Sequence, residues 1–87
     1  MSAYRRSPRA VWRASKGMLV AAVPPNPPTR IAGSAALVWS QLAEPVTLDE
    51  LVDRLARRTG VLPEALRSDV AALLAQLQPL GLVEVVR

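Results

Sequence analysis

The chain has 87 residues, 51% of them hydrophobic, and carries neither cysteine nor histidine. That is room for one modest core; it argues against disorder and excludes disulfides, thiol nucleophiles, imidazole bases and soft-metal sites. The formal net charge of +4 is divided unevenly, because residues 1–32 hold Arg5, Arg6, Arg9, Arg13, Lys16 and Arg30 with no acid, whereas the rest of the chain is net acidic, so the basic front half points to an acidic partner.

Residues 1–8 read as a flexible basic arm, and residues 9–87 as a single domain. The apolar run after Arg5 and Arg6 is too short for a secretory signal, and nothing approaches the ~20 apolar residues of a membrane span. A cytoplasmic setting is expected, with no membrane partner.

Arg9 to Ala14 and Met18 to Val23 are apolar-rich runs separated by Ser15, Lys16 and Gly17, a turn-like composition that predicts a hairpin. Pro24, Pro25, Pro27 and Pro28 then donate no ladder hydrogen bonds, so pairing stops near Val23 and resumes near Thr29. Such a run suits either a polyproline ligand or, more simply, a stiff loop between strands. Thr29 to Gly33 is read as a third strand.

From Ser34 the period becomes helical. Ser34 is placed as the cap of a first helix carrying Leu37, Val38, Trp39 and Leu42, with Pro45 marking its end. In the second helix Thr47 and Glu50 have capping-box spacing, Val46 and Leu51 staple spacing, and Leu48, Leu51, Val52 and Leu55 form one apolar stripe that Gly60 stops. Pro63 opens a third helix with Leu66, Val70, Leu73, Leu74 and Leu77 on its buried side, and Pro79 and Gly81 end it. Whether Leu82 to Val86 pairs as a strand is open. The expected fold is α+β and winged-helix-like, a three-stranded antiparallel N-terminal sheet followed by a three-helix bundle.

No set of residues for catalysis assembles. Glu50 with Arg54 and Asp53 with Arg57 fall at i,i+4, which describes a solvated, ion-paired helix face. Asp49 and Asp53 alone make no cation site, the serines have no base to activate them, and the isolated glycines form no phosphate loop. No cofactor and no metal is expected. A winged-helix layout rich in arginine also suits a DNA reader, but Glu64, Arg67 and Asp69 are the charged residues of the third helix, a poor surface for phosphates or base edges. That helix instead presents Ala65, Asp69, Ala72 and Gln76 beside its apolar stripe, small residues against which another segment can lie or a neighbouring helix can pack.

From about Met18 to Val86 the chain resembles the PqqD-like family, the precursor-peptide recognition elements of pathways that make ribosomally synthesised, modified peptides. The likeness is carried by Ile31-Ala32-Gly33-Ser34-Ala35-Ala36-Leu37-Val38-Trp39, by Leu42-Ala43-Glu44-Pro45-Val46-Thr47-Leu48-Asp49-Glu50-Leu51, by Asp69-Val70 with Leu73-Leu74-Ala75-Gln76-Leu77, and by Leu80-Gly81-Leu82-Val83. The family often has Leu-Asn before the small residue opening the first helix, where this chain has Ala32-Gly33-Ser34, and Asp-Gly where it has Glu44-Pro45; both departures lie in turns. The short chain looks like the stand-alone version of lasso-peptide pathways.

The resemblance implies a non-catalytic protein that binds the leader of a precursor as an added strand on the third strand, in a cleft completed by the third helix, and delivers it to a leader peptidase or other modifying enzyme. Thr29, Arg30, Ile31 and Ala32 would supply main-chain hydrogen bonds, and Leu66, Asp69, Val70, Ala72, Leu73 and Gln76 would select side chains. A DNA-binding protein, an enzyme subunit and a homodimer through the exposed sheet edge stay open as alternatives.

Overall fold

The computed structural model describes residues 2–16 and 18–86. In chain order the elements are β1 (Ala3–Arg6), β2 (Val11–Ser15), β3 (Met18–Ala22), β4 (Thr29–Ala32), α1 (Ser34–Ser40), β5 (Val46–Thr47), α2 (Leu48–Thr59), α3 (Pro63–Leu77) and β6 (Val83–Val86). The fold is α+β: two three-stranded antiparallel sheets, ordered β2-β3-β4 and β5-β1-β6, and three helices.

The β2–β3–β4 sheet follows the expected hairpin and proline break. Ser15 pairs with Met18, and Lys16 takes a φ of 48°, the left-handed conformation that tight hairpin turns use. Leu19, Ala21 and Ile31 project from one face of this sheet into the core, where they meet Val38, Trp39 and Leu42. The core continues through Leu51, Val52 and Leu55 of α2, Val70, Leu74 and Leu77 of α3, and Leu82 and Val83. Its alternation along the strands and its stripe along α2 are the sequence periods made physical.

Helix α2 begins as its sequence dictates. The Thr47 hydroxyl accepts from the Glu50 N–H at 3.2 Å and the Glu50 carboxylate accepts from the Thr47 N–H at 3.0 Å, and Gly60 closes the helix at a φ of 76°. Pro63 occupies the first turn of α3. The cap of α1 differs from the expectation at Ser34: Gly33 precedes the helix at φ 62°, ψ −134°, with no side-chain cap. That left-handed turn is what lets the chain leave β4 and enter α1 at once, so the serine falls inside the first turn. The same helix ends at Ser40, well before Pro45.

The second sheet is the larger departure. Residues 1–8 are expected as a flexible basic arm, yet Ala3–Arg6 is the central strand of β5-β1-β6. Its partners lie far along the chain, with Tyr4 opposite both Val46 and Val85. Two arginines are accommodated in it by specific partners. The Arg5 guanidinium donates to Glu84 Oε1 at 2.6 Å, and Arg6 lies 5.0 Å from the Trp12 ring centre and 5.7 Å from that of Trp39. The link to β2 is fixed by the Arg6 N–H donating to the Leu42 carbonyl and the Ser7 N–H to the Leu82 carbonyl. The open question over Leu82 to Val86 is answered by the same sheet, since β6 pairs with β1 along its length.

The expected helix-surface ion pairs, Glu50–Arg54 and Asp53–Arg57, do not form. Among the described residues, Asp49 pairs instead with Arg67, joining the first turn of α2 to the second turn of α3.

Candidate functional site

Among the described residues, strand β4 pairs with β3 and with nothing on its other side. In an antiparallel edge strand alternate residues turn their N–H and C=O outward, so the open edge of Thr29–Ala32 presents unpaired main-chain donors and acceptors. Ile31 is anchored in the core, which holds the strand in place, while Arg30 and Ala32 are exposed.

One residue beyond β4, past Gly33, a groove of about 460 Å³ begins at Ser34 and Ala35. Leu37 and Val38 of α1 form one wall, and Ala65, Leu66, Asp69, Val70 and Leu73 of α3 the other. Leu55, Thr59 and Val61 close the end. Val38, Leu55 and Val70 are buried beneath it, so its floor is fixed by the core. Val61 and Leu62, at the α2–α3 turn, are left 42% and 70% exposed, which makes that end unusually apolar for a surface turn. Asp69 is the acid of the lining; it is exposed and has no ion pair among the described residues.

Of the expected side-chain contacts, Leu66, Asp69, Val70 and Leu73 come together in this groove. Ala72 and Gln76 do not line it. On a helix of 3.6 residues per turn Ala72 lies further round α3 than Asp69, away from Leu73, and Gln76 lies a turn beyond the groove. Both are exposed. Helical period in the sequence does not single out Ala35, Leu37, Thr59 and Val61, which line the opposite wall and the end.

Among the described residues, no hydrogen bond joins the Ser34 or Thr59 hydroxyl to Asp69 in this groove; the Thr59 hydroxyl donates to the Leu55 carbonyl. The site offers a strand edge, an apolar trough and one carboxylate, the components of peptide capture by strand addition. The family model for Coenzyme PQQ synthesis protein D (PqqD) matches residues 27–83. The chain belongs to the PqqD family. The match spans β4, all three helices and the start of β6, and so contains both walls of the groove and the open strand edge. No curated protein and no solved structure matches the chain. Members of the PqqD family are non-catalytic accessory proteins that bind precursor peptides and work with modifying enzymes in the biosynthesis of ribosomally made, modified peptides. Among the described residues no helix is long and apolar enough to cross a membrane.

Proposed function

We propose that this protein binds the leader of a precursor peptide as a fourth strand on β4, with the leader's side chains entering the groove between α1 and α3, and delivers it to a leader peptidase or modifying enzyme; a lasso-peptide pathway is the expected setting. The observation that carries this reading is the open edge of β4 leading directly to the groove. Alternate residues of the Thr29, Arg30, Ile31 and Ala32 stretch supply the main-chain ladder, which is indifferent to leader sequence. Specificity lies with Leu66, Val70 and Leu73 for apolar leader side chains, and with Asp69 for a donor or cation among them. Arg30 adds attraction for leader acids, acting on encounter rate more than on affinity.

The exposed face of α3 supports a peptide over DNA. Its one cation, Arg67, is already tied to Asp49, so the helix that a winged-helix reader would insert into the major groove offers no unpaired positive charge.

A leader that orders on binding gives back part of its contact energy as lost conformational freedom, so a dissociation constant of roughly tens of nanomolar to micromolar is expected. The test is a fluorescence-anisotropy titration with the labelled leader encoded beside the gene, repeated with the leader N-methylated at alternate residues and with duplex DNA. Saturable binding that survives raised salt and is lost on N-methylation supports strand addition. Binding to DNA alone, falling steeply with salt, defeats the reading.

A further inference from the structure

The β2–β3–β4 sheet buries Leu19, Ala21 and Ile31 of β3 and β4 on one face and leaves the other face bare, while β2 is exposed throughout. Its register places Arg13, Val20 and Arg30 in one row across the three strands, with Ser15, Met18 and Ala32 in the next and Val11 beside Ala22 on the other side. Val11, Met18 and Val20 are 59%, 37% and 41% exposed, so three of the chain's exposed large aliphatics share this face, which no other element covers. Nor is its charge balanced. The first acid of the sequence is Glu44, and neither Arg13 nor Arg30 has an ion pair among the described residues.

We propose that this bare face is a second docking surface, separate from the leader groove, for an acidic protein surface with an apolar centre on the enzyme that acts on the precursor. A carboxylate on either side of an aliphatic contact would meet the Arg13–Val20–Arg30 row in register. A second copy of this chain is disfavoured, because stacking two such faces sets arginine against arginine. DNA gains nothing from three desolvated aliphatics. A leader on β4 would widen the same sheet by one strand, and every second leader side chain would emerge beside Arg30 and Ala32. The enzyme would then touch sheet and leader together, so each ligand strengthens the other's binding. The choice of this enzyme as occupant rests on the family's work with modifying enzymes, and the coupling between the two ligands rests on the leader-binding reading.

The experiment uses the full chain, the purified modifying or leader-cleaving enzyme encoded with it, and biolayer interferometry with and without leader. The variants are Val20→Glu and Arg13→Glu. Val20→Glu sets its carboxylate between two arginines and so keeps the fold while removing the apolar centre and offsetting one of the two positive charges; Arg13→Glu reverses the charge at an exposed position. Both are expected to weaken enzyme association at least about tenfold, while leader affinity of the isolated protein changes by less than about twofold. Unchanged enzyme association in both variants overturns the proposal, as does a wild-type protein that binds no enzyme in either condition. It is equally overturned by sedimentation showing a dimer that Val20→Glu dissolves, or by duplex DNA competing the enzyme off. Should the variants lose the enzyme while the wild type binds no leader, the docking face stands and the leader reading falls.

Discussion

Trp39 sets the strongest constraint carried by one residue. It is completely buried, and its indole N–H has no hydrogen-bond partner among the described residues. Its ring meets Trp12 edge to face at 6.1 Å and 79°, and Arg6 lies over both. An unpaired buried donor costs about 1–3 kcal/mol, so the ring must contribute through volume and the aromatic–cation contacts. Trp39→Ala should therefore cost about 3–5 kcal/mol, whereas Trp39→Phe loses less, because it deletes the unpaired N–H along with part of the ring. Chemical denaturation of the two variants measures the difference; equal losses would mean that the indole N–H has a partner in solution. Glu50 offers a second test at this scale. Its hydrogen bonds from the Thr47 backbone first and side chain second, and then Arg54, hold its carboxyl below the ordinary glutamate range. A depressed folded-state pKa gives stability that is present above the unfolded pKa and lost as pH falls through the folded one. Glu50→Gln should accordingly melt below the wild type at neutral pH, with the gap closing in the acid range. A gap that widens on acidification would contradict this assignment.

Among the elements, those with local signals were legible in the sequence. The capping box, αL glycine and apolar stripe of α2, and the proline opening of α3, all act within a few residues of the chain, and the structure has them where the spacing put them. The groove was half legible: the α3 wall followed from helical period, but the α1 wall depends on how two helices and a turn meet, which no single period encodes. That difference yields a pair of variants. Ala65→Glu puts a carboxylate inside the groove, beside Asp69, at an exposed position that leaves the core intact. It should weaken leader binding at least about tenfold through filling and like-charge repulsion. Ala72→Glu, on the same helix but outside the groove, should leave affinity within about twofold. The anisotropy titration distinguishes them, and the reverse order would place the leader on the outer face of α3. The strand-to-helix turn makes its own demand, for Gly33 sits at φ 62°, ψ −134° with open space around it. Gly33→Ala meets backbone strain and no clash, so it should cost on the order of 1–3 kcal/mol. Leader affinity should fall with it if β4 and α1 lose their relative setting.

At the scale of the whole molecule, the N-terminus shows what a local reading misses. Nothing in Ser2-Ala3-Tyr4-Arg5-Arg6 announces a strand, because the residues that make it one are Val46 and Thr47 on one side and Val83 to Val86 on the other. The Arg5–Glu84 contact joins residues 79 apart in sequence, and it is half exposed, so it adds at most about 1 kcal/mol. The main contribution of β1 is as the middle of a sheet: remove it, and β5 and β6 lose the only strand partner they have among the described residues, while Val83 and Val46, both buried, lose cover. Deleting residues 1–6 therefore separates the two descriptions of this segment. An arm would leave thermal stability unchanged, whereas the loss of β1 should cost several kcal/mol. At about 4–8 °C per kcal/mol for a domain of this size, the melting temperature should fall by tens of degrees or the transition disappear. Deletion of residues 1–2, which stops short of the strand, should leave it where it was. The same pair, titrated with leader, tests whether the front of the chain serves the groove only through the fold: any folded fraction of the longer deletion should still bind, because β4, α1 and α3 hold every residue assigned to the contact.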